Sequence, residues 1–452
     1  MIYLGMPKPL HECTEEELQA ELLQRRLMRA GELGSNWETV LTAPQLKDTE
    51  TLFSEHLAQM SAREPREMKP CPKCGANVSV RSRPSRTIRS MAGVHQFKRN
   101  YHYCNACRAG FHPLDRALGL SEKGDLSPEM EKRVLDFGVH GPFASAAERF
   151  AVHHGFGISD NMVRGVVKRI GERWDERSSD GRATALNVKP IEADKTLVVQ
   201  MDGSMLCTRS SAENQAENNE PRPWREAKTG MIYLHENLVK KDGGRNNIFE
   251  PKYVSALRDY DGFKRDFAAL LKVHGAAKRQ RILFIADGAA CNWTTQQELC
   301  PNAIQILDFY HAVEHLGTAA NAVFGKETAA AKAWLANGRR RLLEESPSKV
   351  LRWLAYHAKK MNDGVKKRAA LEELIAYFNS HCRRMKYAEY RNAGFPIGSG
   401  AIESAQVRVL QIRMKAGGMS WSLTNGQNLA RLRAAALTVG PLKLYPTLSR
   451  AA

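Results

Sequence analysis

The chain has 452 residues, 43% of them apolar and 26% charged, with 67 Lys plus Arg against 49 Asp plus Glu. That length and balance exclude a small peptide and wholesale disorder, and they leave room for about three domains. The formal surplus of +18 favours a polyanionic partner, nucleic acid first, although charge alone does not separate DNA from RNA or from an anionic membrane surface.

There is no run of about 18 apolar residues, and Met1 to Glu17 turns acidic rather than basic and then greasy. A soluble protein that is not exported is expected, in the cytoplasm and, if it binds DNA, at the nucleoid. Nine cysteines, an odd number, show no disulfide framework. Four of them form two CxxC pairs, Cys71/Cys74 and Cys104/Cys107, which suits a reducing compartment with thiolates kept for metal.

In chain order, Glu17, Leu18, Leu22, Leu23 and Leu27 fall at helical spacing and predict amphipathic helices between 14 and 65. From Met68 to Leu114 there is no Asp or Glu but nine Lys or Arg, and the cysteine pairs bracket alternating stretches such as Phe97 to Tyr101. A small basic β-rich module is expected there. Residues 127 to 178 turn helical. Ala144 to His153, a turn at Gly155, and Ser159 as N-cap before Met162, Val163, Val166, Val167 and Ile170 predict a helix-turn-helix-like pair.

Short apolar runs at 196–201, 231–234, 253–257, 281–286 and 303–307 predict strands, with helices around Phe263 to Leu271 and Thr294 to Leu299. That alternation predicts an α/β sheet. Ser210 to Glu226 is expected to be a surface loop, and residues 312–390, rich in Ala, Leu, Lys and Arg, a helical block that interrupts the sheet domain before Gly394.

Two constellations carry chemistry. Four thiolates in two CxxC knuckles, 29 residues apart, suit a tetrahedral Zn²⁺ ion, and a redox role would need a βαβ context that is absent. The acid-free stretch between them predicts a zinc ribbon resting on phosphates. The other constellation is acidic: Asp202 and Asp287 each follow an apolar run and precede glycine, and Glu403 follows the glycine-rich Pro396 to Ile402 near a helix start. Taken singly, each has a plain reading as a turn or a helix cap.

These pieces together resemble a retroviral-integrase-like DDE transposase of the bacterial ISKra-type insertion-sequence family, within the wider Mutator-like group. The resemblance rests on CPKCG and CNAC, GFHPLD at 110–115, QMDGS at 200–204, ADGA at 286–289, DFYHAVEHL at 308–316, PIGSGAIES at 396–404 and RMKAGGMSW at 413–421, in order across 67–437. It implies a ribonuclease-H-like α/β core in which Asp202, Asp287 and Glu403 hold two Mg²⁺ ions, with Asp308 and His311 as supporting residues. It implies binding to double-stranded DNA, both the terminal inverted repeats and the target, with cleavage and strand transfer by a chain that is at least dimeric on its two ends.

The organisation that follows is an N-terminal helical region 1–66, a zinc ribbon 67–115, a helix-turn-helix-like segment 116–185, the core in two parts at 190–311 and 394–440, an all-α insertion 312–393, and a tail 441–452. The 49 residues after Glu403 hold seven Lys or Arg and no acid, and Arg408, Arg413 and Lys415 are the expected phosphate contacts. Trp421 reads as a core tryptophan before a base-stacking one. Two other functions stay open from the residues: a catalytically silent DNA-binding regulator, and a zinc metalloprotease using the H-x-x-E-H run of His311, Glu314 and His315.

Overall fold

The computed structural model describes residue 14 and residues 37–122, 124–179, 194–209, 223–239, 247–257, 259–278, 281–360 and 365–440; of 37–47, 175–179 and 278 it describes the backbone alone. Glu17, Leu18, Leu22, Leu23 and Leu27 lie outside these residues, as does the tail from 441. The chain divides into two compact units, one up to Arg133 and the other Val134–Leu448. Among the described residues no helix is long and apolar enough to cross a membrane.

Among the described residues the first element of the first unit is a helix, Trp37–Arg63. It continues through seven short strands: β1 (Lys69–Pro70), β2 (Asn77–Val78), β3 (Val80–Ser82), β4 (Ser85–Ser90), β5 (Gly93–Lys98), β6 (Tyr101–Cys104) and β7 (Ala109–Phe111). β4 and β5 form a hairpin whose side chains alternate between exposed and buried, the period-two pattern of a ribbon with one covered face. Ile88 and Phe97 from that covered face join Leu57 of the helix and Leu114 in one apolar cluster. A second cluster holds Cys71, Val78 and Cys104, with Cys107 and Phe111 against it.

Part of the basic charge of this unit is turned inward. Asp115 Oδ2 accepts from Arg86 Nη1 at 2.5 Å and from Arg99 Nε at 2.7 Å, with all three side chains largely buried. Arg86 Nη2 also donates to the carbonyls of Ser121 and Gly124, each at 2.7 Å. Two of the nine basic residues between 68 and 114 are thus spent on an interior ion network. Asp115→Ala would strand two buried guanidinium groups, and we expect a loss of about 3–5 kcal/mol in urea unfolding followed on this unit.

In the second unit the helices Phe143–His154 and Asp160–Ser179 are separated by Gly155, whose φ of +74° ends the first helix in the left-handed region. Ser159 Oγ accepts from Met162 N at 3.2 Å and so caps the second helix, while Val163, Val166, Val167 and Ile170 are buried.

The remaining strands are β8 (Leu197–Cys207), β9 (Trp224–Leu234), the short pair β10 (Leu238–Val239) and β11 (Asn247–Ile248), β12 (Lys252–Leu257), β13 (Ile282–Ala286) and β14 (Ile304–Leu307). Five of them form a mixed sheet in the order β12-β9-β8-β13-β14. The pairs β12/β9 and β9/β8 are antiparallel, whereas β8/β13 and β13/β14 are parallel. β13 and the first half of β8 are buried at every position, as expected of strands covered on both faces. The strand expected at 231–234 is longer, because β9 pairs with β8 from Trp224 onward; residues 210–222 of the expected loop lie outside the described residues.

After β14 come the helices Phe309–Phe324, Ala329–Glu344, Pro347–Lys360, Val365–His381 and Tyr387–Asn392, a helical block before Gly394. The chain returns to the sheet through helix Gly400–Gln406, a π-helical turn Val407–Gln411, and helix Leu423–Val439, which is buried on most of its faces and packs on β12. A π turn widens the helix, and its neighbours must meet the displaced carbonyls. Arg433 does so: its guanidinium donates to Val409 O at 2.5 Å and to Arg408 O.

Candidate carboxylate site and cysteine cluster

Asp202 does not end its strand, as the sequence suggested. β8 runs on to Cys207 because the antiparallel partner β9 continues beside it, whereas the parallel pairing with β13 stops at Gln200↔Ile285. Asp202 therefore sits where one neighbour has left the ladder and the other remains, and its side chain there is half-buried. Asp287 follows β13 directly, at that same edge. Its Oδ1 accepts from Ala289 N at 2.9 Å and from Asn292 Nδ2 at 2.6 Å, so the turn and the next helix fix the carboxylate's direction.

The segment that carries Glu403 is tied to β8, about two hundred residues earlier in sequence, by a glutamine. Gln200, fully buried in β8, accepts from Ile402 N at 3.0 Å and donates to Gly398 O at 3.4 Å. Gly398 is needed for the approach, since a Cβ there would lie 2.7 Å from the ring of Tyr310. Ser399 then links two acids: its Oγ donates to buried Asp308 Oδ2 at 2.5 Å and lies 3.5 Å from Glu403 Oε1. Asp308 also caps the helix Phe309–Phe324 by accepting from Tyr310 N at 2.9 Å. Gln200→Leu keeps the side-chain volume but leaves Ile402 N–H unpaired inside the protein, and we expect about 1–3 kcal/mol less stability by thermal unfolding.

Electrostatics tie the three acids together. Burial pushes the Asp202 carboxyl above its ordinary value, and the charges of Asp287 and Glu403 push it further, against the Gly203 N–H and Lys228, which pull it down. Lys228 is itself held above its ordinary value: burial works against the charge, but its ion pair with Glu226 at 2.8 Å outweighs that. It lines a cavity of about 320 Å³ with Glu226, Asp259, Tyr260 and Cys291. Three mutually repelling oxygen donors are the chemistry that a hard divalent cation neutralises. Among the described residues the four cysteines, and not these three acids, gather as a metal-ligand group.

The other expected site residues divide. His311 pairs with Glu314 at 3.5 Å and touches His315 at a ring distance of 5.8 Å, while His315 stacks on Tyr377 at 3.9 Å. His311, Glu314 and His315 do not gather as a metal-ligand group of the kind the four cysteines form. Arg408 and Lys415 are exposed. Arg413 is not: it is 1% exposed, its guanidinium lies 4.8 Å from the ring centre of Phe143, and it donates to Gly138 O at 3.3 Å. The surface phosphate contact expected of Arg413 is therefore replaced by an interior role, because aromatic faces and a free carbonyl satisfy the cation inside the fold. Trp421 is a core residue, with its indole N–H on Met414 O at 2.9 Å.

The four cysteines do converge. The sulfurs of Cys71, Cys74, Cys104 and Cys107 all lie within 4.8 Å of one another, and Cys74 and Cys104 are 3.7 Å apart. A tetrahedron with Zn–S bonds of about 2.3 Å has edges of about 3.8 Å, so the cluster has the size for zinc. The first knuckle closes by Gly75 N donating to Cys71 O at 2.9 Å, with Gly75 in the left-handed region at φ +75°. The Lys73 N–H, and then that of Cys74, bring the Cys71 thiol down to about 7, which favours the thiolate a metal needs.

A family model described as an uncharacterised protein family, UPF0236, matches residues 45–443. No curated protein matches the chain. Among solved structures, the Drosophila P element transposase strand transfer complex aligns with 68% of this chain and 91% of its own, at 11% identity and a TM-score of 0.29.

Proposed function

We propose that the chain, which belongs to the uncharacterised family UPF0236, is a DDE transposase of the insertion-sequence kind its motifs resemble, with a ribonuclease-H-like core. The observation that carries this reading is geometric: Asp202 lies on β8 just past its last pairing with β13, Asp287 follows β13 directly, and Gln200 of β8 bonds Ile402 N beside Glu403. Asp202 on β8, Asp287 just after its parallel neighbour β13, and Glu403 in the first turn of helix Gly400–Gln406 support that reading.

Asp202, Asp287 and Glu403 would hold Mg²⁺, which when bound polarises a phosphate oxygen and stabilises the leaving oxygen of an in-line displacement. The protein's own residues set the geometry. Asn292 aims Asp287, Gln200 pins the segment that carries Glu403, and Ser399 donates to Asp308 beside Glu403. His311, one turn from Asp308, is the further supporting residue of this reading. In the cleavage step water oxygen attacks phosphorus at the end of the element, the P–O3′ bond breaks, and the 3′-oxygen leaves as a hydroxyl. In strand transfer that hydroxyl loses its proton, attacks a target phosphorus and displaces the target's 3′-oxygen.

Exposed Arg408 and Lys415 would screen duplex phosphates, and the helices Phe143–His154 and Asp160–Ser179 would read the terminal repeats. On this reading the enzyme works at the nucleoid as at least a dimer, because two ends must be held together. A plasmid carrying the gene with its flanking DNA should be cut at the ends of the element by the wild-type chain with Mg²⁺ and left whole by Asp287→Asn. Equal cutting by the two would remove the site.

A further inference from the structure

Tyr377 lies on helix Val365–His381, in the helical block, yet its hydroxyl reaches the carboxylate edge. A Cβ added to Gly288 would lie 2.4 Å from that oxygen, so the phenol closes on the Asp287-Gly288 turn, and only a glycine leaves it room. Gly288 has no left-handed backbone to account for it. The hydroxyl is shielded from solvent and, among the described residues, has no hydrogen-bond partner. A buried O–H without an acceptor is costly, and native structures keep few of them unless a ligand or water completes the bond.

The ring is held from two sides. His315 stacks on it at 3.9 Å with an interplanar angle of 23°, and His381 leans on it at 4.8 Å. A tyrosine hydroxyl carries its proton at neutral pH and can donate it. The Asp287 Oδ1 is already taken by Ala289 N and Asn292 Nδ2. A rigid donor thus stands against the Asp287-Gly288 turn with no acceptor among the described residues.

We infer that Tyr377 is a further catalytic residue, whose hydroxyl donates to a non-bridging oxygen of the phosphodiester bound at Asp202, Asp287 and Glu403. This rests on the transposase reading, and it assigns to the helical block a direct contact with the reacting phosphate. A donor to an oxygen that gains charge in the displacement stabilises the transition state more than the bound DNA.

The test uses the full-length chain and a duplex oligonucleotide spanning the cut site mapped on the flanked plasmid. Tyr377→Phe should slow cleavage by about 10²-fold, the lower end of the effect of removing one such donor. Its melting temperature, and its affinity for the duplex in EDTA, should stay as in the wild type. A single phosphorothioate at the scissile phosphate adds a discriminating readout. One diastereomer should slow the wild-type chain and add little to the Tyr377→Phe defect, because sulfur is a poor acceptor and the donor is already gone. Gly288→Ala, which keeps the phenol but displaces it, should show the same pattern. If the wild type cuts and Tyr377→Phe cuts as fast, with its full sulfur penalty, the inference on Tyr377 fails while the function stands. If the wild-type chain cuts nothing, or Asp287→Asn cuts as well, the function fails and this inference goes with it.

Discussion

Asp287→Asn should bind the ends of the element as tightly as the wild-type chain and cut them at least about 10³-fold more slowly, more than the loss of a single hydrogen-bond donor alone would cost. The substitution keeps Oδ1, and with it the bonds from Ala289 N and Asn292 Nδ2 that hold the turn after β13. What it removes is a negative charge beside Asp202, which burial and two neighbouring carboxylates already hold in an unfavourable ionised state. The variant should therefore melt no lower than the wild type. A mutation that spares the fold and abolishes the chemistry marks a site built against stability. Asp202→Asn and Glu403→Gln should behave alike, and the Asp202→Asn/Asp287→Asn pair should be no worse than either alone, because residues acting as one unit are not additive. Mg²⁺ titration followed by protection from thermal unfolding gives a second readout: stabilisation in the wild type and its loss in each variant. Retained nicking by the purified Asp287→Asn chain would sink the assignment.

The sheet was legible where burial imposes a pattern. The apolar runs at 281–286 and 303–307 became β13 and β14, and the run at 253–257 lies within β12; only β13 is buried at every position, as a strand covered on both sides is. The end of β8 was not legible, since Asp202-Gly203 reads as a turn while the pairing with β9 carries the strand through it. Gln200 gave a faint signal, an amide inside an otherwise apolar run whose only buried use is to bond another backbone. Tyr377 gave none, because one tyrosine on an amphipathic helix looks like any other until the fold brings Gly288 to it.

Charge counting erred in one direction. Arg86 and Arg99 neutralise Asp115, Arg431 bonds Asp259, and Arg413 and Arg433 satisfy interior carbonyls. A net surplus in the sequence says nothing about which cations face solvent. The run Leu429 to Ala436 carried the available hint, two arginines inside a stretch with no polar face. Glu403 came from the motif resemblance; nothing in its spacing from Asp287 singles it out.

The four cysteines could hold zinc, and losing such an ion should act on one part of the first unit and leave the rest standing. The Cys71, Val78 and Cys104 cluster is small, and the strands it joins are two to four residues long. Elements of that size rarely bury enough apolar surface to hold themselves, and a metal then substitutes for core. Structural zinc sites supply an apparent binding free energy of about 10–16 kcal/mol near neutral pH, which becomes folding free energy because the unfolded chain has no site. Cys104→Ser should therefore lose the bound zinc equivalent measured by atomic emission, together with the order of β1, β2, β3, β6 and β7. The β4/β5 hairpin rests on Leu57, Ile88, Phe97 and Leu114, with no cysteine among them, and hydrogen exchange should find it protected still. His311→Ala should keep its zinc, which separates the cysteine cluster from a histidine site on helix Phe309–Phe324. A Cys104→Ser chain with a full zinc complement, or a wild-type chain purified without zinc and equally protected at β6, would show that these four sulfurs are packed for some other reason.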